Sequence, residues 1–262
     1  MPEAMTIVCS GPVTTVKLAR LAMDPAFFIE LEETFTRINA DPAVRAVVVL
    51  SEGKAFSFGL DLAAAFAEYG ELFRGGLAGT RTELLALIRR LQGAIGAVAA
   101  CPVPVIAAVH GVAFGGGFQL ALGADMRFLA PDARMSIMEI KWGLVPDMAG
   151  TPILASLVRD DILRDLTYTG RIFSAQEALG FGLATRICDD PRAEAFEVAR
   201  EIAARSPDAV RAAKRLLNRL SVDPGPALLA ESVEQQKLIG SANQLEAVRA
   251  NIEKRAPKFA EV

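Results

Sequence analysis

The run Ile106-Ala107-Ala108-Val109-His110-Gly111-Val112-Ala113-Phe114-Gly115-Gly116-Gly117 constrains this chain more than any other stretch. It reads as a buried apolar strand that ends in a sharp turn, followed by three consecutive glycines. The residues Leu120 to Leu122 then read as a helix. Glycine has no side chain to shield its N–H, so a ligand atom can approach the backbone there. A helix that starts at such a loop presents several N–H groups without helical acceptors. Together these features suit an oxygen that gains negative charge during a reaction.

The rest of the composition narrows the class. A chain of 262 residues buries a full core, as one large domain with a smaller appendage. A hydrophobic fraction of 52% with 23% charged residues excludes wholesale disorder. The net charge of −3 argues against a nucleic-acid surface, which needs clustered positive charge. Cys9, Cys101 and Cys188 lie far apart and His110 is the sole histidine, so neither a disulfide framework nor a metal site is expected. Cys101, beside prolines and without a basic neighbour, does not read as a nucleophile. The N-terminus has no basic segment before an apolar run. No stretch of about 18 apolar residues is free of charges. The expectation is a cytoplasmic protein with no membrane partner.

Along the chain, Thr6–Cys9 and Val13–Leu18 flank Ser10-Gly11-Pro12 as a β-hairpin. Phe27–Ile38 has helical spacing, and Val44–Leu50 is a β-branched run suited to a strand covered on both faces. Asp61 reads as the cap of a helix over Leu62–Tyr69, and Gly70–Gly79 as a glycine-rich loop. A long helix over Glu83–Ala100 stops at Cys101-Pro102-Val103-Pro104, and strands follow at Val105–Val109 and Met126–Ala130. Strand and helix alternate, which predicts an α/β fold with parallel strands. From Pro152 the pattern is mostly helical apart from a short strand near Ala184–Cys188. Helices are expected at Ala193–Ala204, Pro207–Leu220, Ala227–Gly240 and Gln244–Lys254.

Two loops suit one task. Lys54-Ala55-Phe56-Ser57-Phe58-Gly59-Leu60-Asp61 and the Gly115–Gly117 turn each place glycine at the foot of a helix. Two such backbone donors can bracket a single carbonyl oxygen, and one donor of this kind contributes on the order of 3 kcal/mol to transition-state stabilisation. Rival motifs fail: the glycines do not spell G-x-G-x-x-G, and Gly53-Lys54 lacks the upstream glycine of a phosphate loop.

Ile106 to Met126, including the closing Ala124-Asp125-Met126, resembles the signature of the crotonase superfamily, also called the enoyl-CoA hydratase/isomerase family. Ala55–Asp61, Gly143-Leu144-Val145-Pro146, and Thr169–Ala175 with Glu177-Ala178-Leu179 extend the resemblance over nearly the whole chain. It implies a crotonase-type spiral of ββα turns over residues 1–200. A helical trimerisation region over 201–262 follows, giving a homotrimer or a dimer of trimers. It further implies an acyl-CoA thioester as substrate, with coenzyme A as part of that substrate and no separate cofactor or metal. The oxyanion donors carried over are the N–H groups of Leu60 and Gly116. Ala55, Ser57, Phe58, Gly59, Asp61, Gly115, Gln119 and Trp142 are the implied surroundings of the substrate.

The carboxylates decide the reaction, and here the sequence departs from the hydratase pattern. Hydratases of the family carry two glutamates; the first sits where this chain has Gln119, and the second matches Glu139. An amide holds a water but does not accept its proton near neutral pH. Asp147, eight residues after Glu139, stands where hydratases usually have glycine and where the family's dienoyl-CoA isomerases have aspartate. Those isomerases also have an aspartate at the place of Gln119, so the match to them is incomplete. The expectation is double-bond isomerisation by a Glu139/Asp147 acid/base pair. The alternatives are a 2-enoyl-CoA hydratase with an altered pair, or a silent CoA-binding or scaffolding member. Gln119 reads equally as a pocket residue or a structural bonding group, Asp147 also as a turn or cap residue, and His110 as a satisfied structural histidine. The loop Leu18–Asp24 is shorter than in relatives, which leaves Arg20 as its basic residue. The tail Glu253–Phe259 resembles the family's basic C-terminus; it reads either as a segment that reaches CoA phosphates from a neighbouring subunit or as a solvated helix end whose positive charges suit the helix dipole.

Overall fold

The computed structural model describes residues 3–74, 81–219, 225–255 and 257–258. The chain opens with a hairpin, β1 (Met5–Ser10) against β2 (Val13–Leu18), turning at Gly11-Pro12. Each following turn of the chain adds strand and helix, and the second, third and fourth each pair a longer strand with a shorter one. The first has β3 (Ala22–Met23) and α1 (Pro25–Ala40). The second has β4 (Ala46–Ser51), β5 (Gly59–Leu60), α2 (Leu62–Arg74) and α3 (Arg81–Ala99). The third has β6 (Val105–Val109), β7 (Val112–Phe114) and α4 (Gly116–Leu122). The fourth has β8 (Met126–Leu129), β9 (Arg134–Ser136), a 3-10 turn over Glu139–Trp142, α5 (Gly150–Leu157) and α6 (Asp160–Thr169). The last has β10 (Phe173–Ser174), α7 (Ala175–Phe181), β11 (Arg186–Ile187) and α8 (Pro191–Ala203). Three helices close the described chain: α9 (Pro207–Arg219), α10 (Gly225–Leu238) and α11 (Ala242–Glu253).

The long strands and the two-residue β11 form one six-stranded sheet in the order β1-β2-β4-β6-β8-β11, parallel from β2 onward. The short strands stack beside it as β3-β5 and β7-β9-β10, joined by an isolated bridge between Ser57 and Ala113. This is the α/β spiral that the resemblance implies. In the central strands side chains alternate between two covered faces. Val47, Val49, Val105, Ala107 and Val109 face the cluster that holds Phe27, Phe35, Ile95 and Val98. Ala46, Val48, Leu50, Ile106 and Ala108 face the other side, where Ala195, Ala199 and Ala203 of α8 lie against them. A stripe of alanines lets that helix approach the sheet closely.

The later helices are tied to the spiral by polar bonds as well. Lys214 of α9 is buried and donates to Val103 O at 2.9 Å and to Asp125 Oδ2 at 2.7 Å. Asn251 of α11 donates from Nδ2 to the Lys141 carbonyl. Arg127 on β8 is buried and binds the Leu183 and Ala124 carbonyls; burial pushes its guanidinium down to about 10.

Glu139 sits on a 3-10 turn. Two expectations are revised. Gly70 lies inside α2, so the expected glycine-rich loop is helical as far as Arg74; residues 75–80 lie outside the described residues. The strand near Ala184–Cys188 shrinks to Arg186–Ile187. Leu220 and Phe259 lie outside the described residues. Among the described residues no helix is long and apolar enough to cross a membrane.

Candidate active site

The two glycine turns are pressed together at one point. Ser57 organises the first: its Oγ donates to Leu21 O at 2.9 Å and accepts from Gly59 N at 3.1 Å. The backbone joins in, with Ser57 N donating to Val112 O at 3.0 Å and Phe114 N to Ser57 O at 3.1 Å. Asp61 N donates to Met23 O at 2.9 Å. In the second turn, Gly115 N donates to Ser136 O at 3.0 Å, and the first helical bond of α4 is Gln119 N to Gly115 O, also at 3.0 Å. The N–H of Gly116 therefore has no carbonyl of its own helix to bind.

Glycine is required where these turns meet. A Cβ on Gly59, whose φ is +85°, would stand 2.5 Å from Phe114 O and 3.4 Å from Gly116 N. A Cβ on Gly117 would stand 2.7 Å from Ser57 Cβ. Both turns open onto a cavity of about 230 Å³ lined by Gly59, Leu60, Gly115 and Gly116.

Glu139 and Asp147 line the same cavity. They are 9% and 5% exposed. The Glu139 carboxylate lies beside the glycine turn, since a Cβ on Gly115 would be 3.4 Å from its Oε1. That same oxygen accepts a bond from Gln119 Nε2 at 2.7 Å. Asp147 enters on the segment before α5, which passes through Ala149 at φ +64°. Met148 packs against Gly116, with its Sδ 3.0 Å from where a Cβ would stand. Most of the remaining wall is apolar, with Gln235 and Gln244 as polar members. Leu62, Ala65, Phe66 and Tyr69 of α2, and Leu84, Leu87, Ile88 and Leu91 of α3, each present an i, i+3, i+4, i+7 stripe to the cavity.

A backbone cradle, two acids and an apolar chamber are the parts that acyl-thioester chemistry uses, and the family comparison agrees with them. The family model described as enoyl-CoA hydratase/isomerase matches residues 10–262. The chain belongs to the enoyl-CoA hydratase/isomerase family. It is thus an enzyme of the crotonase type. It is 34% identical to a carnitinyl-CoA dehydratase of Salmonella typhi, over 98% of each chain. It is 33% identical to the mitochondrial Delta(3,5)-Delta(2,4)-dienoyl-CoA isomerase of Mus musculus, over 91% of this chain and 75% of that one. An enoyl-CoA hydratase/isomerase structure from Pseudoalteromonas atlantica T6c superimposes with a TM-score of 0.85 at 29% identity, over 98% of this chain and 100% of that one.

Of the residues that the crotonase pattern singles out, Phe58, Gly59, Leu60, Gly115, Gly116, Glu139, Trp142 and Asp147 meet at the cavity. Four others do not line it. Ala55 and Ser57 are buried beneath the first turn, where Ser57 spends its hydroxyl on the backbone. Asp61 caps α2, accepting from Ala64 N at 3.0 Å. Gln119 is 1% exposed and lies behind the wall. His110 holds Nε2 2.8 Å from Gly53 O, but its buried Nδ1 has no hydrogen-bond partner among the described residues, so it is not the fully satisfied histidine expected. Cys101 is buried, and burial pushes its thiol up, away from the reactive thiolate.

The basic groups considered for coenzyme A are partly committed elsewhere. Arg20 pairs with Asp24, which caps α1. Arg255 binds Glu246 at 2.6 Å and Glu253 at 2.5 Å, and it holds the Glu246 carboxyl down at about 2. The wall stripes of α2 and α3 are the functional surface that sequence reading passed over. Their helical spacing was the available signal.

Proposed function

We propose that this enzyme binds an acyl-CoA thioester with the carbonyl oxygen between the N–H groups of Leu60 and Gly116, and moves a double bond along the acyl chain with Glu139 and Asp147. What carries this reading is that both turns and both carboxylates line one apolar cavity. The hydrogen on carbon next to a thioester is too weakly acidic for a free carboxylate to remove quickly. Two donors on the carbonyl oxygen stabilise the enolate, each by about 3 kcal/mol, and close much of that gap. One carboxylate takes the proton while the electron pair moves to the oxygen. The pair then returns to carbon as the other carboxylate delivers a proton further along the chain. The net result is a shifted double bond. The apolar stripes of α2 and α3 favour an apolar acyl group.

The second reading is addition or removal of water by an altered pair. The dehydratase named among the relatives favours it. Assays with 2-enoyl-, 3-enoyl- and 3,5-dienoyl-CoA separate the two. Isomerisation that falls about 10²–10⁴-fold in both Glu139→Gln and Asp147→Asn is the expected result. Rapid hydration of crotonyl-CoA that survives Asp147→Asn defeats the isomerase reading. Tight CoA binding with no solvent-deuterium exchange at the α-carbon points to a silent member. The same proposal includes a homotrimer or dimer of trimers. The exposed Leu216, Leu217 and Ile252 are apolar surface that such an assembly would cover, and light scattering measures it.

A further inference from the structure

Behind the cavity wall, one side chain joins the two segments that carry the carboxylates. Gln119 stands within α4, every residue of which is buried. Its Nε2 donates to Glu139 Oε1 at 2.7 Å. Its Oε1 accepts from the backbone N–H of Met148 and of Gly150, both at 2.9 Å. An amide can do both, because it carries donor and acceptor on one planar group and needs no charge.

The two backbone donors bracket Ala149, whose φ of +64° is costly for a residue with a Cβ. Such a conformation persists only where its surroundings over-determine it. Two bonds to a single buried oxygen supply that constraint, and Asp147 is the residue just before the clamped segment. Gly150 is shaped for the same contact: a Cβ there would lie 2.5 Å from Gln119 Oε1 and 2.9 Å from its Cδ.

We propose that Gln119 is a positioning residue for the proton transfers. Its donor fixes Glu139, its acceptor fixes the Asp147 segment, and together they set the separation of the two acids from outside the cavity. Gln119 does not line the cavity and touches no substrate. Only the kinetic part of this proposal rests on the acyl-CoA reading above.

Glutamate at this position would separate the two functions. A carboxylate oxygen would still accept from Met148 N and Gly150 N. Its second oxygen would face Glu139 Oε1 across the 2.7 Å now spanned by a donated bond, acceptor against acceptor. Gln119→Glu therefore keeps the loop tie and loses the Glu139 tie, whereas Gln119→Leu loses both. Gly150→Ala displaces the amide without changing its chemistry.

The test compares these three variants of the full chain with the parent. Hydrogen exchange is read at the Met148 and Gly150 amides, CoA affinity by calorimetry, and kcat and KM with 3-enoyl-CoA. The expected result is exchange at the two amides faster by roughly tenfold in Gln119→Leu and Gly150→Ala, but not in Gln119→Glu. In all three, kcat falls by about 10²-fold, as for an acid or base displaced by an ångström, while KM and CoA affinity stay near those of the parent. Unchanged amide exchange in Gln119→Leu overturns the proposal. So does a loss that falls on KM alone, or hydration of 2-enoyl-CoA gained by Gln119→Glu, since either puts position 119 in contact with the reactants. If Gln119→Leu does not fold, Gly150→Ala carries the same comparison with the amide retained. If the parent turns over no acyl-CoA, the functional reading fails alone, and the exchange data still decide whether Gln119 holds the loop.

Discussion

Replacing Gly59 by alanine tests whether two backbone turns, pressed together, are what this enzyme uses to grip its substrate. The φ of +85° at Gly59 is a region that an L-residue enters at a cost of about 1–2 kcal/mol. The added methyl would also meet Phe114 O at 2.5 Å and Gly116 N at 3.4 Å. Both are backbone atoms and cannot rotate aside as the end of a side chain would. β5 must therefore move away from the start of α4, and the N–H of Leu60, one residue on, moves with it. Loss of one oxyanion donor costs about 10²–10³ in kcat. Gly11→Ala is the matched control. Gly11 has a φ of +60° in the first hairpin, and nothing lies within 4 Å of its absent Cβ. It carries the conformational penalty and none of the collision.

Both variants should thus lose about 1–2 kcal/mol or more in urea unfolding, with Gly59→Ala losing the greater amount. Only Gly59→Ala should lose α-proton exchange into deuterated water, by the donor factor above, as followed by NMR with an acyl-CoA. CoA affinity measured on the same samples separates failed binding from failed chemistry. A folded Gly59→Ala protein that exchanges at the parental rate refutes the reasoning, because the Leu60 N–H would then be dispensable.

Other perturbations probe the frame around the site. Lys214→Met keeps the length of a side chain only 6% exposed but removes the donor to the Val103 carbonyl and the cation from Asp125, which keeps its bond from Val105 N. The expected loss is about 2 kcal/mol in urea unfolding, and a change within error would show that the pair is energetically idle. Ser174→Ala removes the capping box at the start of α7, where Ser174 Oγ and Glu177 exchange bonds. About 1 kcal/mol should be lost. The Glu177 carboxyl, held low first by the Ser174 N–H and then by Arg171, should titrate higher by NMR if Ser174 no longer orients it. Glu246 is held at about 2 by Arg255, below its ordinary 4.5, so its pairing stabilises the fold above pH 4.5 and that contribution fades as pH falls from 4.5 through about 2. Arg255→Ala should flatten the acid limb of the stability curve over that window. An unchanged limb would mean that salt and solvent already screen the pair.

The parts of this molecule that announced themselves in the sequence are those that local rules dictate. Val44–Leu50 has to be a strand covered on both faces, because its branched residues have no polar side to show, and β4 carries that out with Val47 and Val49 in one cluster and Ala46, Val48 and Leu50 in the other. The glycine turns are legible for a stricter reason: at Gly59 and Gly117 another backbone or Ser57 occupies the place of a side chain, so no other residue fits. Three of the short strands left no such mark. β3, β5 and β10 are two residues each, too few for a period, and β5 exists because Leu21, Ser57 and Val112, far apart in the chain, hold it on either side. Gly70 misled as a loop signal, because a helix tolerates one glycine for about 1 kcal/mol when the rest of its stripe packs against a wall.

Gln119 is the sharper case. Because α4 is buried all round, periodicity cannot tell which of its residues faces the cavity. The amide's partners lie 20, 29 and 31 residues away in sequence. The same residue type, in the same place, would hold a water if its χ angles turned it toward the cavity and holds the Glu139 and Asp147 segments when they turn it away. That choice belongs to long-range bonding, and it separates a residue that joins the reaction from one that aims it.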